Sequence, residues 1–357
     1  MNTDSILSTQ LLIDDNHQFL VTCCTTDSKE VFLYHWRKWK KVQNFDFLDF
    51  DSLILIPTFY KQIEKFDIVD ENKARYKGIY KKSWVNTVQI YQDILPSLNE
   101  LKELHIPFWM VGGVALENLY YKDCGIHRSN GIELLINKKS IFEVLNFLLS
   151  RGFFFKDKKS TYDFVTTKLS YGKVIQLINH NGSIIYLSLG EFPFSLTTNY
   201  FEDNQLSFTV NNNQFNTLRP EFEVLRLIAN SFFNKSIWHV QWIVDVKFIL
   251  NEVNNEFDWN YFQTLVKKYE IANIVGSRLQ LLINVGIKSI PIPCVNQLIS
   301  IDLPYNVALL NTRNRHSKIQ KFKFNACILK KMKEHQEVNW KDYLRVLFNE
   351  KSFIKII

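Results

Sequence analysis

The feature that most constrains this chain is a short apolar run, His105-Ile106-Pro107-Phe108-Trp109-Met110-Val111, which closes on Gly112-Gly113 and gives way at once to a helical pattern up to Tyr121. A strand that stops at a glycine pair and re-enters as a helix defines a β-turn-α unit. Val88, Ile90, Tyr91, Ile94, Leu95, Leu98 and Leu101 precede it at helical spacing and predict a helix over residues 84–104. Ile132-Glu133-Leu134-Leu135-Ile136 predicts a second strand, and residues 140–150 an amphipathic helix opened by Ser140. Arg151-Gly152-Phe153-Phe154-Phe155 leads into a further strand. Residues 173–178 and 183–189 predict a hairpin across Asn179-His180-Asn181-Gly182. Helix, strand, helix, strand, helix and strand pair, in that order, predict a small mixed α/β sheet.

The flanks differ from this core. Residues 18–35 read as two β-rich runs around a polar turn at 26–30, so residues 1–83 are expected to form an N-terminal β-rich lobe. The apolar stretch 45–60 is broken by Pro57, and the charged residues 67–82 mark a junction. After Pro220 helical stripes return, first Phe222, Leu225, Ile228 and Ala229, then Trp242, Ile243, Val246, Ile249 and Leu250 on a helix over 237–250. Asp258-Trp259 opens another helix, a further one ends at Gly286 and the Pro291/Pro293 pair, and residues 318–348 predict basic helices. The expected class is α+β, with three domains: the β-rich lobe 1–83, a mixed-sheet core 84–215 and a helical domain 216–357.

Composition narrows the function classes. With 46% hydrophobic and 22% charged residues, the 357-residue chain fits a globular protein. No stretch reaches the roughly 18–20 uncharged apolar residues that cross a bilayer, and the start MNTDSILSTQ has no basic region followed by an apolar one. The expectation is a cytoplasmic protein without a membrane partner. Five scattered cysteines and eight dispersed histidines form no metal-ligand spacing. The net charge of +7 is concentrated partly in His35-Trp36-Arg37-Lys38-Trp39-Lys40-Lys41 and in the run 313–333. Tryptophan interleaved with cations can contact a nucleic acid, although a strand with one solvated basic face is the favoured reading.

Gly112-Gly113 offers bare backbone amides at a helix start, where a phosphate is favoured, but for the pair by itself a tight turn is the favoured explanation. The next strand adds a second element. Phe108-Trp109-Met110-Val111-Gly112-Gly113-Val114-Ala115-Leu116, then His127-Arg128, then Gly131-Ile132-Glu133-Leu134-Leu135-Ile136 resembles the polymerase-beta-like nucleotidyltransferases. Their pattern is a hydrophobic strand, Gly-Gly, a helix with Ala-Leu, an Arg-bearing loop, then Asp-Ile-Asp-Leu-Leu-Val. Gln241-Trp242-Ile243-Val244-Asp245, Asp258-Trp259 and Gly286 with Pro291 and Pro293 extend the resemblance to bacterial members described as uncharacterised nucleotidyltransferases, over residues 86–300.

The resemblance implies a mixed-sheet fold, a nucleotide pocket at Gly112, Gly113, Arg128 and Gly131, and magnesium held by three carboxylates. Two of the three are missing. Gly131 stands at the first aspartate position, Glu133 at the second, and Tyr186-Leu187-Ser188 where relatives carry an acid on the third strand. Relatives also often have a lysine where this chain has Gly112. Glu133 is the one catalytic or metal-binding candidate in the motif, so magnesium is weakly supported. Asp123, Glu117, Asp245 and Glu191 are the acids that could be recruited, each more readily explained as a solvated or capping residue; for Asp245, amid apolar neighbours, a buried hydrogen bond competes with a ligand role. The favoured expectation is a degenerate, pseudoenzyme-like nucleotidyltransferase that binds a nucleotide or a peptide or protein partner, with Trp36, Trp39 and Trp109 as contact surface. The alternatives are an active metal-dependent transferase acting on a small molecule or peptide, and, less favoured, a nucleic-acid-binding module.

Overall fold

The computed structural model describes residues 15–157, 174–188, 204–233, 240–269 and 271–301. The basic run 313–333, the helices expected over 318–348 and Glu191 lie outside them. Internal contacts divide the chain into two compact units, one spanning Asp15–Phe257 and the other containing the residues from Asp258 onward.

The first unit opens with four helices, α1 (Asp15–Thr25), α2 (Lys29–Val42), α3 (Phe50–Lys65) and α4 (Lys73–Glu103). The β-rich lobe expected here is therefore corrected to a helical one. Residues 20–25 carry β-branched and cysteine side chains that suit strands, yet Leu20, Val21, Cys23 and Cys24 are all buried, as on a helix enclosed on several sides. Thr22 and Thr25 donate their hydroxyls to the carbonyls of Gln18 (2.8 Å) and Val21 (3.0 Å), four residues back, which reconciles them with helical backbone. Ser28 caps α2 by accepting from the Val31 amide. Asp49 caps α3 through the Ser52 amide, and Pro57 lies inside that helix rather than breaking it. Rings account for much of the packing that overrides local propensity: Phe32, Trp39 and Tyr76 all meet Phe59 with centroids 5.2–5.6 Å apart.

The same correction applies to the basic aromatic stretch 35–41. It lies on α2, not on a strand, and Trp39 is only 2% exposed. Lys40 sits over the Trp36 ring and pairs with Asp70 and Glu71, so part of its charge is already compensated.

Helix α4 runs unbroken from Lys73 and delivers the chain to β1 (Phe108–Val111). A short helix, α5 (Gly113–Leu116), passes into a π-helical turn at Glu117–Tyr121, followed by β2 (Gly131–Ile136), α6 (Ile141–Ser150), β3 (Phe154–Phe155), β4 (Ile175–Ile178) and β5 (Ile184–Ser188). The sheet order is β1-β2-β5-β4-β3, with β2 and β5 parallel and the other pairs antiparallel. Strand alternation sends Met110, Ile132, Leu134, Ile136, Ile185 and Leu187 into one core with Ile94 and Leu98 of α4 and Val144, Leu145 and Leu148 of α6. The opposite face presents Val111, Glu133 and Tyr186 as register partners.

A second, two-stranded sheet was not expected: β6 (Gln205–Val210) and β7 (Asn213–Leu218) pair across Asn211-Asn212. Both asparagines adopt positive φ, 47° and 63°, as a tight hairpin turn requires. The chain continues in α7 (Pro220–Phe233) and α8 (Gln241–Val253). In the second unit, α9 (Trp259–Lys268) is capped by Asp258, and α10 (Ala272–Asn284) and α11 (Ile292–Ile299) follow. Pro291 opens α11 rather than only closing its predecessor. Gly276 lets α10 and α11 close up, since a Cβ there would lie 2.8–3.0 Å from Ile299 and Leu298.

Candidate functional site

The end of β1, the start of β2 and the middle of β5 bring the motif residues together. Gly112 has φ +66°, a conformation glycine adopts without strain. A Cβ there would also strike the Glu133 carboxylate at 2.6–2.9 Å. The positive φ thus favours a glycine, while the Glu133 carboxylate, at the end of a flexible and partly exposed side chain, lies beside the turn where a phosphate was anticipated. A Cβ on Gly113 would come within 3.1 Å of His127 Nδ1 and Ser129 Oγ, so the loop after the π-helical turn packs directly on the second glycine.

The position of the missing first aspartate is closed sterically as well as chemically. A Cβ at Gly131 would lie 2.2 Å from the Ile184 carbonyl oxygen and 2.9 Å from the Tyr186 ring. Tyr186, register partner of Glu133, stands where the motif resemblance implied a third acid, and its ring reaches into the space beside Gly131. Burial, with the neighbouring Glu133 charge, raises the Tyr186 phenol above its ordinary value and keeps it neutral.

Glu133 is 40% exposed at its side chain and accepts a hydrogen bond from Arg226 Nη1 at 3.1 Å. Arg226, on α7 and 3% exposed, is fixed by Glu223 one turn earlier, with Nε to Oε2 at 2.8 Å and Nη2 to Oε1 at 2.7 Å. Sequence reasoning passed over Arg226; the available signal was a charged pair at i, i+3 inside an otherwise apolar helical stripe.

The other acids have structural partners. Asp123 accepts from Tyr80 (2.9 and 3.0 Å) and the Gly125 amide and lies 3.5 Å from Lys61. Asp245 Oδ1 accepts from Tyr121 Oη at 2.6 Å and Gln241 Nε2 at 2.9 Å, and lies 3.5 Å from His127 Nε2. Glu117, carried inward by the π-helical turn, accepts from Tyr91 Oη at 2.6 Å and lies 3.9 Å from His127 Nδ1. Burial pushes the Glu117 carboxyl up to about 8, against the pull of His127. Burial alone would lower His127, but Asp245, Glu117 and Glu133 together hold it above its ordinary value. Glu117, pushed toward its neutral form, and His127, pushed toward its charged form, thus form a buried cluster with Asp245 beneath Gly113.

Arg128 lies in the connecting loop, half-buried and without an ion pair among the described residues. Its loop is fastened to α4 by Ser83 Oγ donating to the His127 carbonyl (3.4 Å) and Asn86 Nδ2 to the Ser129 carbonyl (2.8 Å). Trp109, expected as contact surface, is 2% exposed and donates its indole N–H to Gln205 Oε1 at 3.2 Å.

These residues do not fit a magnesium centre. A two-metal site needs several oxygen donors around ions about 3.5–4 Å apart. Here one position is a sterically closed glycine, one a neutral tyrosine, and the one motif carboxylate meets a guanidinium. Among the described residues no three of the His, Cys, Asp and Glu side chains converge as metal ligands do.

A search of curated proteins finds no match. A solved structure described as an antigenic nucleotidyltransferase-like protein from Paracoccidioides brasiliensis aligns with 52% of this chain and 92% of its own, at 14% identity and a TM-score of 0.30. So low a score carries no structural argument. Residues 53–283, more than half of the chain and including every described element from β1 to α9, match the family described as "uncharacterised nucleotidyltransferase", and the chain belongs to that family.

Proposed function

We propose that this protein is a catalytically degenerate nucleotidyltransferase that binds a nucleotide at the ends of β1, β2 and β5 without transferring it. The observation that carries this reading is the Gly131–Tyr186 pair: the phenol ring and the Ile184 carbonyl fill the volume a first aspartate would need. Loss of that acid is accommodated by packing, so a single reversion does not recreate it. Arg226 supports the reading further, because a cation drawn to Glu133 would meet a guanidinium 3.1 Å from the carboxylate. Arg128, with no ion pair among the described residues, supplies a charge for an anionic ligand at the edge of the site. Its place in the polymerase-beta-like superfamily is part of the same proposal and rests on the motif order.

The test is calorimetric titration of ATP, GTP, CTP and UTP, with and without magnesium, on the native chain, Glu133→Ala and Arg128→Ala. Binding that persists without magnesium, survives Glu133→Ala and weakens several-fold in Arg128→Ala is expected. Magnesium-dependent binding abolished by Glu133→Ala would restore the active-transferase reading. Silence toward all four nucleotides would replace the nucleotide by a peptide or protein partner.

A further inference from the structure

The N-terminal half of α4 carries charges that its own stability does not explain. From Asn72 to Gln92 the chain has five cations, Lys73, Arg75, Lys77, Lys81 and Lys82, and no aspartate or glutamate. A helix N-terminus is the positive end of the backbone dipole and favours acids. Asp70 and Glu71 precede the helix and Asp70 accepts from the Asn72 amide, but both acids pair with Lys40; the first turn itself has no acid, and Asn72 makes no side-chain capping bond. Lys77 and Lys81 stand one turn apart, where like charges repel. Arg75 is relieved by Asp46, and Lys77 lies close enough to Glu64 to help lower its carboxyl, but Lys77, Lys81 and Lys82 are exposed and make no direct ion pair among the described residues.

Two further features lie on the same stretch. Trp84 and Val85 are 45% and 58% exposed, placing an indole and an apolar side chain beside the lysines. Ser83 and Asn86 anchor the loop residues on either side of Arg128 to this part of α4. Lys77, Lys81 and Trp84, at i, i+4 and i+7, share one face of α4, and Lys82 stands one turn before Asn86 on the side of the Arg128 loop, so the cations track round the helix toward that loop.

We propose that this track, Lys77, Lys81, Lys82 and Trp84 on α4 with Arg128 at its edge, binds single-stranded nucleic acid. The lysines follow the phosphates and the indole stacks on a base. Lysine is depleted from the cores of protein–protein interfaces, whereas three of the four α4 side chains here are lysines. An anionic bilayer would require a broader apolar face than Trp84 and Val85 offer. This surface is distinct from the basic stretch on α2, where Lys40 is already paired, and it does not rest on the nucleotide reading.

The experiment is fluorescence anisotropy of the full chain with a labelled single-stranded RNA of about 20 nucleotides, between about 50 and 200 mM salt. The native protein should bind with a steep salt dependence. The triple variant Lys77→Ala/Lys81→Ala/Lys82→Ala should lose about tenfold or more in affinity and flatten the logarithmic salt slope by about 2, at about 0.7 per lost phosphate contact. Trp84→Ala should weaken binding several-fold at every salt concentration while leaving the slope alone. All replaced side chains are exposed, so both variants should unfold as the native chain does, and the triple variant should keep its response to mononucleotides. That control separates this surface from the nucleotide site. No RNA binding, RNA binding untouched by the triple variant, or equal competition by polyglutamate or phosphatidylserine vesicles together with indifference to Trp84→Ala would each overturn the proposal.

Discussion

Two groups of acids lie within reach of the glycine pair, and they have fared differently. On the Glu133 face of the sheet, one of three motif positions carries a carboxylate, Glu133 itself, which is 40% exposed and met by Arg226. Beneath Gly113, Glu117 and Asp245 are both retained, fully buried and hydrogen-bonded to tyrosines. The first group lies where the motif resemblance implied a metal site, the second at the joint between the π-helical turn, α4 and α8. In this chain, acids stand where removing them would strand a buried partner, and are absent at the two motif positions that have no such partner. The contrast is the one expected under the proposed loss of catalysis in a protein that still folds.

The largest effect that could break this contrast is expected at Asp245. Asp245→Ala would leave His127 without its compensating charge and Tyr121 and Gln241 without their acceptor, a cost of about 3–5 kcal/mol for breaking a buried pair. Urea unfolding with an unchanged m-value would measure it. A loss under about 1 kcal/mol would mean that the cluster is not structural. Next comes Gly131→Ala, expected to cost about 1–3 kcal/mol through overpacking against the Ile184 carbonyl and Tyr186. Gly131→Asp should be at least as unstable and gain no magnesium affinity; a stable, magnesium-binding Gly131→Asp would show that the site had been substituted without being rebuilt.

The smallest effect is a pH dependence. Glu117, with its folded value raised to about 8 from 4.5, contributes stability that is complete below about 4.5 and lost as pH rises toward 8. His127, held above 6.5, contributes stability that is complete below 6.5 and lost as pH rises through its folded value. Both act in one direction, so the thermal midpoint should fall by a few degrees between about pH 6 and 8.5. Glu117→Gln should make that decline shallower. A midpoint that rose over this range would contradict the protonation states assigned to the cluster.

Much of the core was legible because local pattern and tertiary fate agreed. The β1-Gly-Gly-α5 unit, β2, α6 and the β4–β5 hairpin all lie where alternation, helical spacing and turn residues put them, and Tyr186 falls in register with Glu133 as the motif alignment implied. The N-terminal helices were misread because Val, Thr and Cys favour strands locally, while aromatic packing around Phe59 and hydroxyl bonds to carbonyls four residues back decide for helix. The β6–β7 hairpin had its signal in Asn211-Asn212, but weak alternation concealed it.

For the site, the sequence alone determined which carboxylates are absent, because residue identity at a motif position needs no coordinates. Only the tertiary structure decided what took their place: the Tyr186 ring and Ile184 carbonyl closing on Gly131, Arg226 reaching Glu133 from 93 residues away, and His127 joining Glu117 to Asp245. Each depends on groups distant in the chain meeting in a low-dielectric interior, where steric contact and charge compensation are strong and sequence spacing carries no record of them.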